Sequence, residues 1–311
     1  MQAMVQNMMT VGAQALVLLL LMLTGLVCGK RGLLGPAAVT GMTNLVLYVA
    51  LPCSLIRAFE LELTPQTLLD LLISMAAAFG CLLFSFLAAS LLIREKSPSR
   101  RKILTLAATF TNCNFMAFPL QTALIGPTGI FYGSAYAMAT PLLFWTGGIV
   151  YLEGDRKAFS WRNAVLNPGT VGLTGGLALF LGRVTLPGVL DSAMSHLANL
   201  AVPLPMLIVG CQLARTDFRR ILKDRMGWVA TLLRLLVLPL AALGLLYAFG
   251  VRGSVLVATA IAASAPSATL VAMMAQKCGR EPQLAAELVS LQTLASIATM
   301  PVVVGLAQLL A

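Results

Sequence analysis

The sequence predicts an all-α polytopic membrane protein: ten transmembrane helices in two inverted five-helix repeats, with the fourth and ninth helices broken at mid-depth. Three observations predict it. Of 311 residues, 59% are hydrophobic and 10% charged, and the mean hydropathy is +0.91; a water-soluble domain of this size cannot cover that much apolar surface. The apolar residues gather into ten runs, each near the roughly 20 residues that a helix needs to cross a bilayer core. Lys and Arg, 21 in all, concentrate in every second connection between those runs.

In order, the runs occupy residues 10–28, 37–56, 67–93, 103–124, 128–151, 164–182, 195–214, 226–249, 251–274 and 285–310. No small-residue cleavage signal follows the first, so it reads as a span rather than a signal peptide. The least marked boundaries are Gly126-Pro127 and the Gly250 to Gly253 turn. Basic clusters such as Arg94 to Lys102 and Arg215 to Arg225 follow the odd-numbered spans, whereas the opposite connections hold Arg57, Arg183 and Arg252. By the positive-inside rule both termini then lie outside the cytoplasm, and the expected location is a bacterial cytoplasmic (inner) membrane. A missed or invented span would scramble this alternation. The net charge of +10 therefore speaks to orientation in a lipid bilayer, with no nucleic-acid partner expected.

The chain divides into an N-terminal repeat, 1–151, a cytoplasmic linker, 152–163, and a C-terminal repeat, 164–311. Five spans per half make the repeat inverted across the membrane. A faint trace survives in sequence: NLVLYVALPCSLI from Asn44 aligns with NLAVPLPMLIVG from Asn199 across a two-residue gap. Asn44 and Asn199 read as interhelical glue.

The stretch TLAATFTNCNFMAFPL, Thr105 to Leu120, places two asparagines and a proline inside an apolar run. Pro119 has no amide proton and is expected to push Phe118 out of the helical region. Unwound backbone cannot face lipid, so it lines a protein-enclosed site. The stretch AIAASAPSATLVAMMA, Ala260 to Ala275, holds the corresponding place in the other half. Where an interrupted helix resumes, unpaired amides and the positive dipole end form an anion site that needs no basic side chain. The substrate-binding candidates are accordingly Asn112, Asn114 and Pro119 with Ser264, Pro266 and Ser267. The plainer reading of the same residues is helix kinking and interhelical hydrogen bonding. Gln292 and Thr293 begin a polar stripe that either lines the path or pairs with a neighbouring helix. Arg234 either snorkels to the interface or draws an anion towards the inner entrance. Asp70 and Glu287 read as interfacial.

Several chemistries are absent. There is no G-x-x-x-x-G-K-[ST], H-E-x-x-H or G-x-S-x-G motif and no carboxylate pair placed for hydrolysis, so an enzyme is not expected. Six cysteines without C-x-x-C spacing read as small hydrophobes, and no cofactor or metal is expected.

VLLLLMLTGLVCGKRGLL in span one, NLVLYVALPCSLI in span two, TNCNFMAFPL in span four, LPMLIVGCQLA in span seven and APSATLVAMMAQKCGREPQLAAELVSLQTLASIATMP across spans nine and ten together resemble the auxin efflux carrier family, which includes the plant PIN proteins. The resemblance is to a bacterial member. It implies crossing of spans four and nine at unwound points. It also implies a scaffold of spans 1, 2, 6 and 7, which often supports a homodimer, and a moving transport unit of spans 3–5 and 8–10. Substrates in the family are small organic anions such as malate, malonate, lactate or indole acetate. Asn112 and Pro119 match the family's crossover asparagine and proline; Ala117 departs from the usual glycine, and Asn114 stands where glycine is common. The expected function is export of a small organic anion, a carboxylate, by a secondary transporter using alternating access. The alternatives are a carboxylate importer coupled to H+ or Na+, and a membrane scaffold or sensor that transports nothing.

Overall fold

The computed structural model describes residues 2–62, 64–166, 168–182, 186–216 and 218–311; Arg183, one of the three basic residues on the sparser side, lies outside them. The described residues form helices and connections, with a single isolated β-bridge. We number the principal helices α1 (Gln2–Lys30), α2 (Pro36–Ala58), α3 (Pro65–Leu92), α4 (Pro98–Thr109), α5 (Cys113–Ile125), α6 (Pro127–Glu153), α7 (Pro168–Gly182), α8 (Gly188–Leu213), α9 (Arg225–Ala248), α10 (Gly253–Ser264), α11 (Thr269–Lys277) and α12 (Pro282–Leu310). Among the described residues, α2, α3, α6, α8, α9 and α12 are long and apolar enough to cross a membrane. Shorter apolar helices accompany them at Leu16–Lys30, Cys113–Ile125, Thr170–Gly182 and Gly253–Ser264. The protein is thus an all-helical, multi-pass membrane protein.

Local chemistry sets the helix ends. Thr64 accepts the Thr67 amide while Thr67 Oγ1 accepts the Thr64 amide, a reciprocal cap that starts α3 ahead of Pro65. Asp224 accepts the amides of Met226 and Gly227 and starts α9. Prolines inside the apolar helices are absorbed rather than obeyed. Three π-turns, Val46–Ala50, Cys113–Ala117 and Leu233–Val237, each end just ahead of Pro52, Pro119 and Pro239. Widening the helix by one residue re-registers the ladder around a position that has no donor.

Close helix packing rests on missing side chains. A Cβ on Gly25 of α1 would collide with the Leu207 backbone of α8, and one on Gly210 with the Met22 carbonyl, so these helices meet backbone to backbone. The Cys211 thiol donates to the Gly25 carbonyl at 3.1 Å across that contact. In the same way α7 lies against α2, where a Cβ on Gly172 would sit 2.6 Å from Pro52 Cα. Phe59, Phe131 and Phe180 lock α2, α6 and α7 through ring contacts of 4.8 to 6.0 Å. At the basic end, Arg100 bridges Asp224 at 2.6 Å and Glu95 at 3.4 Å.

Two expectations are corrected. α8 begins at Gly188, earlier than residue 195, because Asp191 and His196 dilute the apolar signal of its first turns; Asp191 faces Arg57 at 3.3 Å. Asn44 and Asn199 are exposed, so they do not join helices within the chain. Glu287, in the first turns of α12, is buried by protein at 4% exposure and accepts from Gln283 Nε2 at 2.9 Å.

A cavity framed by two broken helices

α4 ends at Thr109 and the chain runs extended through Phe110 before α5 starts at Cys113. α10 ends at Ser264 and the chain runs extended at Ala265 and Ala268 before α11 starts. The two interruptions pair with each other. Thr111 and Ser267 form an antiparallel bridge, in which the Asn112 amide donates to the Pro266 carbonyl at 2.8 Å and the Ala268 amide to the Phe110 carbonyl at 2.9 Å. This answers the problem of unwound backbone in an apolar protein: each break supplies the other's missing partners. Thr111 Oγ1 adds a bond to the Ala262 carbonyl at 2.7 Å, and Gln292 Oε1 accepts the Ser267 amide at 3.1 Å.

The first break is not where the proline predicts it. Phe118 is helical, with φ −56 and ψ −45, and the π-turn at Cys113–Ala117 accommodates Pro119 within α5. The chain leaves the helix upstream, at Phe110 to Asn112.

Beside the bridge lies a cavity of about 180 Å³. Asn112 to Phe115 at the start of α5 and Ala268 to Leu270 at the start of α11 form one side, so two helix N-termini open onto it. Thr140 and Trp145 of α6 and Leu47 and Leu51 of α2 close it. Asn112 is 6% exposed, does not cap α5 with its side chain, and its Nδ2 has no protein partner. That atom is itself buried, and an unmade hydrogen bond of this kind costs about 1–3 kcal/mol.

Of the residues singled out from sequence, Asn112 and Asn114 line this cavity. Pro119, Ser264, Pro266 and Ser267 do not; all four are buried, Ser264 Oγ donates to the Ile261 carbonyl, and Ser267 takes part in the bridge. Gln292 supports the second break, and Thr293 returns its hydroxyl to the Val289 carbonyl of its own helix. Arg234 neither reaches outward nor lines the cavity: at 2% exposure it donates to the carbonyls of Ala108, Thr109, Ala263 and Ala265. Thr111, Thr140, Trp145 and Thr269 line the cavity without having been singled out. Thr269 was within reach of sequence reasoning, as the polar residue that opens the helix after Pro266.

Two other recesses suit an anion less well. One of about 520 Å³ presents the Asp70 carboxylate, bonded by Gln66 and Tyr132, beside Arg252, whose guanidinium donates to the Tyr247 and Val251 carbonyls; another of about 360 Å³ between α3 and α9 is lined by apolar side chains. Among the described residues, no three His, Cys, Asp or Glu side chains converge as a metal site would require.

A multi-pass helical protein whose irregular backbone is enclosed beside a cavity has the construction of a membrane carrier. The model of the membrane transport protein family matches residues 10–160 and 155–304, and the chain belongs to that family, the one that the auxin efflux carrier resemblance names. An uncharacterized transporter of Methanothermobacter thermautotrophicus is 27% identical over 288 residues, covering 91% of this chain and 94% of that protein. An uncharacterized transporter of Methanocaldococcus jannaschii is 25% identical over 266 residues, covering 82% and 85%. Family and relatives alike are membrane transporters, not enzymes.

Proposed function

We propose that this protein is a secondary transporter that exports a small organic anion, a carboxylate, by alternating access, and that the anion sits in the cavity beside the bridge. The observation that carries the reading is a cavity lined by Asn112 and Asn114 onto which two helix N-termini open. Together these ends present roughly one positive charge without any basic side chain in the lining. The volume of about 180 Å³ is below the 300–1,000 Å³ of drug-sized pockets and suits a ligand of a few carbons. An inside-negative potential favours export by about 2.3 kcal/mol per charge per 100 mV.

The architecture behind this reading has ten spans, counting α4 with α5 and α10 with α11 as single interrupted crossings. It has inverted halves at 1–151 and 164–311. The two stretches of the family match meet at residues 155–160, within the 152–163 linker, which supports that division. α1, α2, α7 and α8 are the scaffold, which can pair with a second copy, and they pack on one another through the glycine contacts described above. The remaining helices carry the site past them as an elevator. The cavity lies between the two groups, bounded by Leu47 and Leu51 of α2. Both termini face away from the cytoplasm of a bacterial inner membrane.

Counterflow in proteoliposomes with a panel of labelled carboxylates tests the reading. Asn112→Ala removes a hydrogen bond to a charged ligand, worth about 1.5–3 kcal/mol, so affinity should fall about 10- to 150-fold with stability retained. Absence of saturable flux for every acid, with intact protein, sinks the substrate class; equal affinity in the variant sinks the site.

A further inference from the structure

We propose that Arg234 is a tethered cation: its guanidinium fills the place at the paired C-terminal ends of α4 and α10 where a co-transported alkali cation would otherwise bind, so the anion is carried alone. This rests on the carrier reading above and adds what drives it.

The argument begins with four helix ends. Each interrupted crossing contributes one C-terminus and one N-terminus at the break, and each end carries about half an elementary charge, negative and positive respectively. Summed at one place, two negative and two positive ends nearly cancel. An anion beside the N-termini of α5 and α11 then gains little unless the C-terminal pair is neutralised. In transporters with interrupted helices, half-helix C-termini and unwound carbonyls are where a coupling cation is held. In this chain the same carbonyls are taken. Arg234 Nε donates to Ala265 at 2.9 Å, Nη2 to Ala263 at 2.7 Å, and Nη1 to Thr109 at 3.0 Å and Ala108 at 3.4 Å. One planar fork thus spans both helices, which a point charge on a lysine could not match.

Two further features fit a resident ion rather than an ordinary cap. The bonded partners of Arg234 are all carbonyls, and among the described residues no carboxylate forms an ion pair with it. Burying an unpaired guanidinium costs several kcal/mol, which the two negative helix ends offset. The residue also sits in the π-turn Leu233–Val237 of α9, where the widened helix turns one side chain out of the regular register.

The test needs no substrate, so its failure is distinguishable from a failure of the carrier reading. Purified native protein and Arg234→Ala are melted in detergent with sodium, potassium or guanidinium chloride against choline chloride at constant ionic strength. Native protein should show no saturable response to sodium. Arg234→Ala should melt lower and be restored saturably by millimolar guanidinium, or in part by sodium, as a ligand that binds only the folded state requires. A folded Ala variant indifferent to every cation would show that the carbonyls are no cation site, and saturable stabilisation of native protein by sodium would show that the site is not filled; either overturns the proposal. Should the Ala variant not fold, Arg234→Lys decides: it retains the charge, so its melting should be independent of sodium, and a saturable rise with sodium overturns the claim. Counterflow by the native protein should be unchanged when choline replaces sodium.

Discussion

At the break between α10 and α11 the proline stands where the chain leaves the helix, and Ala265, immediately before Pro266, is extended at φ −64 and ψ 150. At the break between α4 and α5 the proline stands elsewhere: Pro119 lies well inside α5, and the residue before it is helical. One interruption is written locally, through the steric demand of proline on its predecessor. The other is held open by its neighbour, through the bonds Asn112 N to Pro266 O, Ala268 N to Phe110 O and Thr111 Oγ1 to Ala262 O. The bridge partners differ accordingly. Thr111 has its hydroxyl bonded across to the other helix, whereas the Ser267 hydroxyl, fully buried, has no partner, and Ser267 is supported through its amide by Gln292. The dependent break also supplies Asn112, a cavity-lining residue whose buried Nδ2 has no protein partner. Proline in a membrane helix is therefore a poor guide to the location of a site, because a π-turn can absorb it; convergence of two breaks is the better sign.

If the first break depends on the second, weakening the second should cost most. Gln292→Leu keeps the volume but leaves the Ser267 amide unbonded in a dry interior, and should destabilise by about 1–3 kcal/mol. Thermal unfolding in detergent reads this directly, and a native-like melting temperature would mean that the amide finds another acceptor and the two breaks are not supported as described. Thr111→Val removes one bond of 2.7 Å at the dependent side and should cost about 0.5–1.5 kcal/mol. A loss larger than that of Gln292→Leu would reverse which break leans on which.

Hydropathy made most helix limits legible. Runs 67–93 and 226–249 correspond to Pro65–Leu92 and Arg225–Ala248, since the passage from lipid to water is written residue by residue. The existence of two interruptions was legible as well, because Asn, Ser and Pro are costly in apolar helices. Their positions and contacts were legible only in part. Pro266 marks its break, but the break at Phe110 to Asn112 is fixed by a segment more than 150 residues away, and no local pattern announces that pairing. Arg234 illustrates the same limit: in sequence it is a lone charge in an apolar run, and only the carbonyls of Thr109 and Ala263 reveal its place. The serines flanking Pro266 were reasonable ligand candidates by chemistry, yet the bridge turns them into the packing and brings Ala268 to Leu270 to the cavity.

The smallest effects discriminate most finely between a proline that makes a site and one that is merely tolerated. Pro119→Ala restores an amide inside α5 and lets the π-turn relax, so stability should change by no more than about 1 kcal/mol and counterflow should persist. Loss of transport from a stable Pro119→Ala protein would return the proline to the site and remove the contrast between the breaks. Ser267→Ala is the limiting case. Its hydroxyl is buried without a partner, so deleting it removes an uncompensated polar group, and the protein should be as stable as native or slightly more so. A destabilisation of about 1 kcal/mol or more would instead require that the hydroxyl be satisfied in the membrane, by an ordered water or by the ligand. Repeating the melt with and without a transported anion separates these two: only a ligand contact makes the loss grow when the anion is present.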